Sequence, residues 1–185
     1  MELELPKQRN LFFSEQVDQK TILELSKSIV EINEHDLFLE SLYVAHSIKY
    51  NRKPIKIYID SYGGYVYQIL GLIGIIERSK TPVHTIVTGC AISAGFMLLI
   101  SGHKRYGYEH STSLYHQVSS LTSGKIQDMK EDIIEVERLQ SKLESIILRK
   151  TKISKEQLYK NRLRKKDWWI TAKQGVKLFV IDEII

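Results

Sequence analysis

Twice in succession an apolar strand runs into a turn of small residues and then into an apolar helix, and this repetition limits most strongly what the chain can fold into. IKIYID at 55–60 alternates Ile55, Ile57 and Ile59 ahead of Gly63 and Gly64, after which Tyr65 to Ser79 reads as a buried helix. VHTIV at 83–87 reads as the next short strand, and Cys90 to Ser101 as the next helix, rich in small residues. Strands alternating with helices imply an α/β fold with a largely parallel sheet, whose sites lie at strand ends.

The flanking segments extend this pattern. Asp18 or Thr21 is placed to cap a helix carrying Ile22, Leu25, Ile29 and Ile32, with Glu24 three residues after Thr21 as in a capping box. A second helical pattern, Leu39, Leu42, Ala45 and Ile48, ends near Asn51. Short strands are expected around Arg105–Tyr108 and Ser113–Tyr115, and a final strand at Leu178–Val180. Between them a long helix, about 123–150, sets Ile126, Met129, Ile133, Val136, Leu143 and Ile147 in one stripe interrupted by Gln140, and that stripe needs a partner. With no repeat, low-complexity stretch or Pro/Gly/Ser-rich linker, residues 1–185 are expected to form one domain.

Composition narrows the function classes. The longest apolar stretch, Ile69 to Ile76, is far shorter than the roughly 20 residues of a membrane span, so no membrane partner is expected. Met1–Asn10 mixes Glu2, Glu4, Lys7 and Arg9 without an apolar core, unlike a signal peptide, which points to a cytoplasmic protein. Cys90 is the only cysteine, excluding an internal disulfide and any multi-thiolate metal site. The net charge of +5 gathers between Arg149 and Lys166, where Tyr159 is the one aromatic residue; this reads as a solvated helix and turn, with no nucleic-acid partner expected. Cys90 itself reads as a small packing residue.

Chemistry-bearing residues fall at the strand ends. TGCAISAGFML sets Ser93 among Gly89, Ala91, Ala94 and Gly95 just after a strand and at a helix start, where small neighbours admit a substrate backbone and free amides can hold an oxyanion. Small residues at a strand-to-helix turn more often serve close packing. Two successive turns of this kind bring the Gly64 and Ala94 amides to one edge of a parallel sheet. A serine hydroxyl needs a base, itself oriented by a carboxylate. Of six histidines His116 is the best placed, at the exit of the strand ending LYHQ. Asp167, beside Trp168 and Trp169, is a candidate carboxylate, but spacing alone leaves Asp60, Asp128, Asp132 and Asp182 in competition.

On these residues the chain resembles the ClpP family, the proteolytic subunits of Clp-type chaperone-protease machines. IYIDSYGGYV is similar to the family's strand and Asn-Ser-Pro-Gly-Gly turn, GCAISAGFMLLISG to its nucleophile segment, LYHQ to its histidine segment, and DWWITAKQGVKLFVIDEI to its C-terminal stretch. The four occur in family order from about Leu11 to Ile185. The resemblance implies a ClpP/crotonase-like fold of repeated ββα units with the long helix as a protruding handle that stacks two heptameric rings. It implies a serine endopeptidase with Ser93 as nucleophile, His116 as general base and acid, Asp167 as orienting carboxylate and the Gly64 and Ala94 amides as oxyanion hole. Val66 and the run Val118, Ser119, Ser120 and Leu121 correspond to positions near the bound peptide. Polypeptide substrates, self-association and an AAA+ unfoldase partner are implied as well. The chain has no P-loop, so no cofactor is expected and any ATP is used by the partner.

Tyr62 and Val118 stand where the family has prolines, and Ser119 and Ser120 where it is usually glycine-rich, which bears on substrate alignment. About ten residues precede LFF, where the family has a longer segment that meets the unfoldase. The stretch Glu34–Asn51 is longer than its counterpart. Two other readings are a catalytically silent ring subunit, against which the three intact residues argue, and a crotonase-like acyl-CoA enzyme, which would need no serine triad.

Overall fold

The computed structural model describes residues 8–185; the reading of the extreme N-terminus, residues 1–7, lies outside the described residues. Parallel strands β1 (Asn10–Phe13), β2 (Ile55–Ser61), β3 (Val83–Ile92), β4 (Lys104–Gly107) and β7 (Glu183–Ile184) lie side by side in the order β1-β2-β3-β4-β7. The alternation in IKIYID turns Ile55, Ile57 and Ile59 wholly inward. The architecture is α/β with a largely parallel sheet, as the repeated unit predicts, and six helices among the described residues.

Strand β3 is longer than its apolar run and does two jobs. Its first half, Val83–Val87, pairs with β2 and β4. Its second half, Cys90–Ile92, leaves that register and pairs with β5 (Thr112–Tyr115), which in turn carries the antiparallel strand β6 (Trp168–Thr171). The sheet forks there, and the fork opens at Ser93. The expected helix from Cys90 therefore begins only at Ala94, because residues 90–92 find a strand partner that periodicity does not reveal.

Three helices close the core. α2 (Val66–Arg78) buries Ile69, Leu72, Ile73 and Ile76. α3 (Ala94–Ser101) is buried along its whole length, which is why it is apolar on every side. α1 (Gln19–Ala45) is one continuous helix, not two patterns. Its cap is Asp18, whose Oδ1 accepts from the Thr21 amide at 2.9 Å while Thr21 Oγ1 accepts from the Asp18 amide at 3.2 Å, so Glu24 takes no part. Leu42 and Ile48, read as a second apolar face, are exposed.

What holds the far half of α1 is polar. Asp36, with no exposed surface, accepts from Arg9 Nη1 at 2.9 Å, Tyr50 Oη at 2.7 Å and Thr81 Oγ1 at 2.6 Å. Burial pushes its pKa up, but hydrogen bonds from Arg9, Thr81 and Tyr50 outweigh burial and hold it at about 2. These bonds tie the segment before β1, the loop before β2 and the loop before β3 to one carboxylate.

α4 (Ile126–Lys150) buries only its C-terminal half, through Leu139, Gln140, Leu143, Ile146 and Ile147. Its first half is largely exposed, with Ile126 75% and Ile133 52% exposed, and is tied to α2 where Glu135 accepts from Tyr67. The basic stretch forms the end of α4 and a capped surface helix, α5 (Lys155–Arg164). The last expected strand is replaced by α6 (Ala172–Lys177) and a turn through Phe179 at φ 56°, whose neighbour Val180 donates to the Gly175 carbonyl at 2.8 Å. Of the three apolar residues in a row there only Val180 is buried, and local pattern does not separate such a helix end from a strand. Among the described residues no helix is long and apolar enough to cross a membrane.

Candidate active site

Ser93 occupies the single residue between the end of β3 and the start of α3, at φ 56° and ψ −117°. A non-glycine residue in this region is strained and persists only where its surroundings impose it. Here they do: the Ser93 amide donates to the Leu114 carbonyl at 3.0 Å on β5, and its carbonyl accepts from Met97 at 3.2 Å inside α3. The turn presents the side chain at the mouth of the fork. As the first residue of α3, Ala94 has an amide with no acceptor within the helix.

The glycine turn after β2 is pressed against this elbow. Gly63 lies at φ +95°, and a Cβ there would sit 2.6 Å from the Ile92 carbonyl oxygen, 2.8 Å from Ser93 Cβ and 2.9 Å from the Ala94 nitrogen. Gly64 bridges Val17 in parallel: Val17 donates to the Gly63 carbonyl and Tyr65 donates to the Val17 carbonyl, both at 2.8 Å. In such a bridge the central residue's own N–H points away from the bonded neighbour. The Gly64 amide thus faces the other way, away from Val17. Gly95 completes the approach, since a Cβ on it would lie 2.9 Å from the Ser61 carbonyl oxygen.

His116 follows directly on β5. It shares with Ser93 the walls of two adjoining depressions. One is a narrow apolar pocket of about 60 Å³ lined by Gly64, Val66, Ile69, Ala94, Met97, Val118, Ser119 and Leu143. The other is an open polar groove lined by Ser14, Glu15, Gln16, Asp60, Tyr62 and Ser119. His116 Nδ1 lies 2.5 Å from the Gln117 carbonyl oxygen. A carbonyl only accepts, so Nδ1 is the nitrogen that carries a proton here, and in the neutral ring that tautomer leaves Nε2 as the basic nitrogen.

Asp167 precedes β6 as His116 follows β5. Tyr115 pairs with Trp168, so continuing the antiparallel register by one residue sets His116 opposite Asp167, a placement that puts both side chains on one face. The ladder stops at Tyr115–Trp168, however. Asp167 lines a separate depression with Gln157, Lys160, Asn161, Arg164, Lys166 and Trp168, and is exposed in spite of the neighbouring tryptophans. Of the competing carboxylates, Asp182 is held by Arg105, its Oδ1 2.5 Å from Nη2, Asp132 accepts from Thr122, and Asp128 lies in the first turn of α4. Asp60 borders the groove but accepts from the Cys90 amide at 2.9 Å.

Of the residues expected near substrate, Val66, Val118 and Ser119 line the pocket, whereas Ser120 and Leu121 line neither depression, and Leu121 is 98% exposed. Gly63, Ile69, Met97 and Leu143 also line the two depressions, and no motif marks them as site residues. Ile69 and Met97 each fall three residues beyond a site residue on its helix, at Val66 and Ala94, a spacing that places them on the same face. Cys90 is half-buried, and burial together with its bond to Asp60 pushes its thiol up to about 11, so it is no competing nucleophile.

Residues 4–185 match the Clp protease family. The chain is 34% identical over 182 residues to ATP-dependent Clp protease proteolytic subunit 2 of Treponema pallidum, covering 95% of this chain and 87% of that protein. It is 30% identical over 179 residues to the ATP-dependent Clp protease proteolytic subunit of Bacteroides thetaiotaomicron, covering 96% and 74% of the two. It is 28% identical over 181 residues to proteolytic subunit 1 of Rhodopirellula baltica, covering 97% and 78%. By sequence over nearly its whole length, and by the α/β fold just described, the chain belongs to the Clp protease family, a family of serine-type peptidases.

Proposed function

We propose that this peptidase subunit cleaves peptide bonds through an acyl-enzyme formed on Ser93. The observation that carries the reading is the strained Ser93 turn, packed on Gly63, with His116 on the same cavity wall and two outward amides beside it. Ser93 Oγ attacks the scissile carbonyl as His116 Nε2 takes its proton, and the negative oxygen is held by the Gly64 and Ala94 N–H groups. His116 then passes the proton to the leaving amine, and water, activated by the same nitrogen, releases the acid and restores Ser93. Asp167 is the carboxylate that orients the imidazole, moving onto Nδ1 in place of the Gln117 carbonyl.

The apolar pocket of Val66, Ile69, Met97 and Leu143 suits an uncharged, apolar side chain on the acyl side of the cut bond. The bare half of α4, with Ile126, Ile133 and Ile134 exposed, supports a role in joining subunits into stacked rings in the cytoplasm. The matched relatives are named as ATP-dependent, and with no P-loop in this chain an unfoldase partner supplies that step.

Fluorogenic peptides with an apolar residue before the cleaved bond test this. Wild-type protein hydrolyses them and Ser93→Ala does not. Hydrolysis that persists in Ser93→Ala, or assembled rings of wild type that cleave no peptide, would overturn it.

A further inference from the structure

Gln140 is an amide buried to 3% exposure on α4, a helix whose remaining inward positions are apolar. A polar side chain there needs partners, and it has three. Its Oε1 accepts from the Val118 amide at 2.8 Å, while its Nε2 donates to Tyr115 Oη at 2.9 Å and to Glu144 Oε1 at 2.8 Å. The assignment of oxygen and nitrogen is forced, because a backbone amide only donates and Glu144 accepts.

Tyr115 and Val118 are the residues on either side of His116–Gln117. One side chain therefore holds both ends of the short segment carrying the base, and through Glu144 it reaches Arg162 of α5, with Nη1 3.9 Å from Oε1. α5 leads within a few residues to Asp167. The His116 loop and the Asp167 segment, which the ladder leaves unjoined beyond Tyr115–Trp168, are thus both referenced to the buried half of α4. Val118 has no proline's fixed φ to stiffen the loop, and the bond to Gln140 takes that part.

Resting on the assignment of Ser93 and His116 made above, we infer that Gln140 is a positioning residue: it fixes the His116 loop so that the imidazole meets Ser93, and it links the geometry of α4 to that meeting. An apolar residue of equal size would fill the same space and leave the loop end unheld.

The test compares full-length wild type, Gln140→Met and Gln140→Glu in rate of labelling by a fluorophosphonate, thermal midpoint, and hydrogen exchange of the peptide spanning 116–121. Met keeps volume without hydrogen bonds; Glu keeps an acceptor for Val118 but sets a second carboxylate beside Glu144. Gln140→Met is expected to label on the order of a hundredfold more slowly, as misplacement of a reacting group by about an ångström does. Its 116–121 peptide exchanges faster while the α4 peptides do not. Gln140→Glu labels faster than Gln140→Met although it melts at the lower temperature. A merely structural role predicts the reverse order, with labelling following thermal stability, and that result overturns the inference, as does wild-type labelling by Gln140→Met. Should wild type itself not label, the assignment of Ser93 fails, and exchange alone decides Gln140: unchanged protection of 116–121 in Gln140→Met would refute it.

Discussion

Around Ser93, backbone is set against backbone: the elbow leans on a glycine turn with no room for one carbon at Gly63, and its amide is bonded to β5. Around Asp167 the chain is open: the residue is exposed, follows Lys165 in the left-handed conformation that ends α5, and shares a shallow depression with Lys160, Arg164 and Lys166. In the proposed mechanism the groups that meet developing charge are built into the ends of central strands, whereas the carboxylate assigned to orient the base sits on a peripheral strand reached by way of a surface helix. That mechanism places preorganisation on the amides, where reorganisation during reaction would cost most.

The sharpest way to break this contrast is to change the loose half and watch activity alone. Asp167→Asn is expected to lower kcat on the order of 10⁴-fold, through loss of the orienting charge and the wrong imidazole tautomer. Its thermal midpoint should stay at the wild-type value, since an exposed residue is removed; a fall of less than tenfold in steady-state peptide hydrolysis would show that the carboxylate never engages His116.

Changing the tight half should cost both activity and stability. In Gly63→Ala the new carbon meets the Ile92 carbonyl and a positive φ, so peptide turnover should drop about a hundredfold as the elbow shifts. Urea unfolding should report a loss of roughly 1–3 kcal/mol for the same strain. Activity near wild type would mean that the elbow yields freely and is not preorganised.

A third region sharpens the comparison because it is rigid without touching the site. Asp36→Asn leaves Arg9 short of its carboxylate and should cost roughly 2 kcal/mol, below the range for a fully buried pair because Arg9 keeps some contact with water. The sign with pH follows from the lowered pKa: the Asp36 contribution is fully present above the ordinary value of 3.8 and is lost as pH falls toward 2. Wild type and Asp36→Asn should therefore converge in stability across that acid window. The smallest effect is expected at Gly74, on an exposed face of α2 with open space around it, where Gly74→Ala should raise stability by about 0.5–1 kcal/mol and leave kcat alone.

How much of this the residues announced differs along the same line. Ser93, Gly64 and Ala94 stood out because a tight strand-to-helix turn demands small residues, and the fold sets them together. His116 was readable from its place at a strand exit. Asp167 was not separable from four other aspartates by spacing, because what brings its segment near that of His116 is the antiparallel pairing of β5 with β6, strands more than fifty residues apart. The same non-local cause hid the strand at Cys90–Ile92, whose partner lies on β5. Asp36 in the core left no local signal either, since its three donors come from three different loops. Gln140 did leave one, as the polar break in an apolar stripe.

The most direct test of the account is to treat wild-type and Ser93→Ala protein with a fluorophosphonate, digest both, and locate the adduct by mass spectrometry. The account predicts a single adduct on the peptide carrying Ser93, abolished by Ser93→Ala. An adduct on another residue, or one that survives in Ser93→Ala, would contradict it.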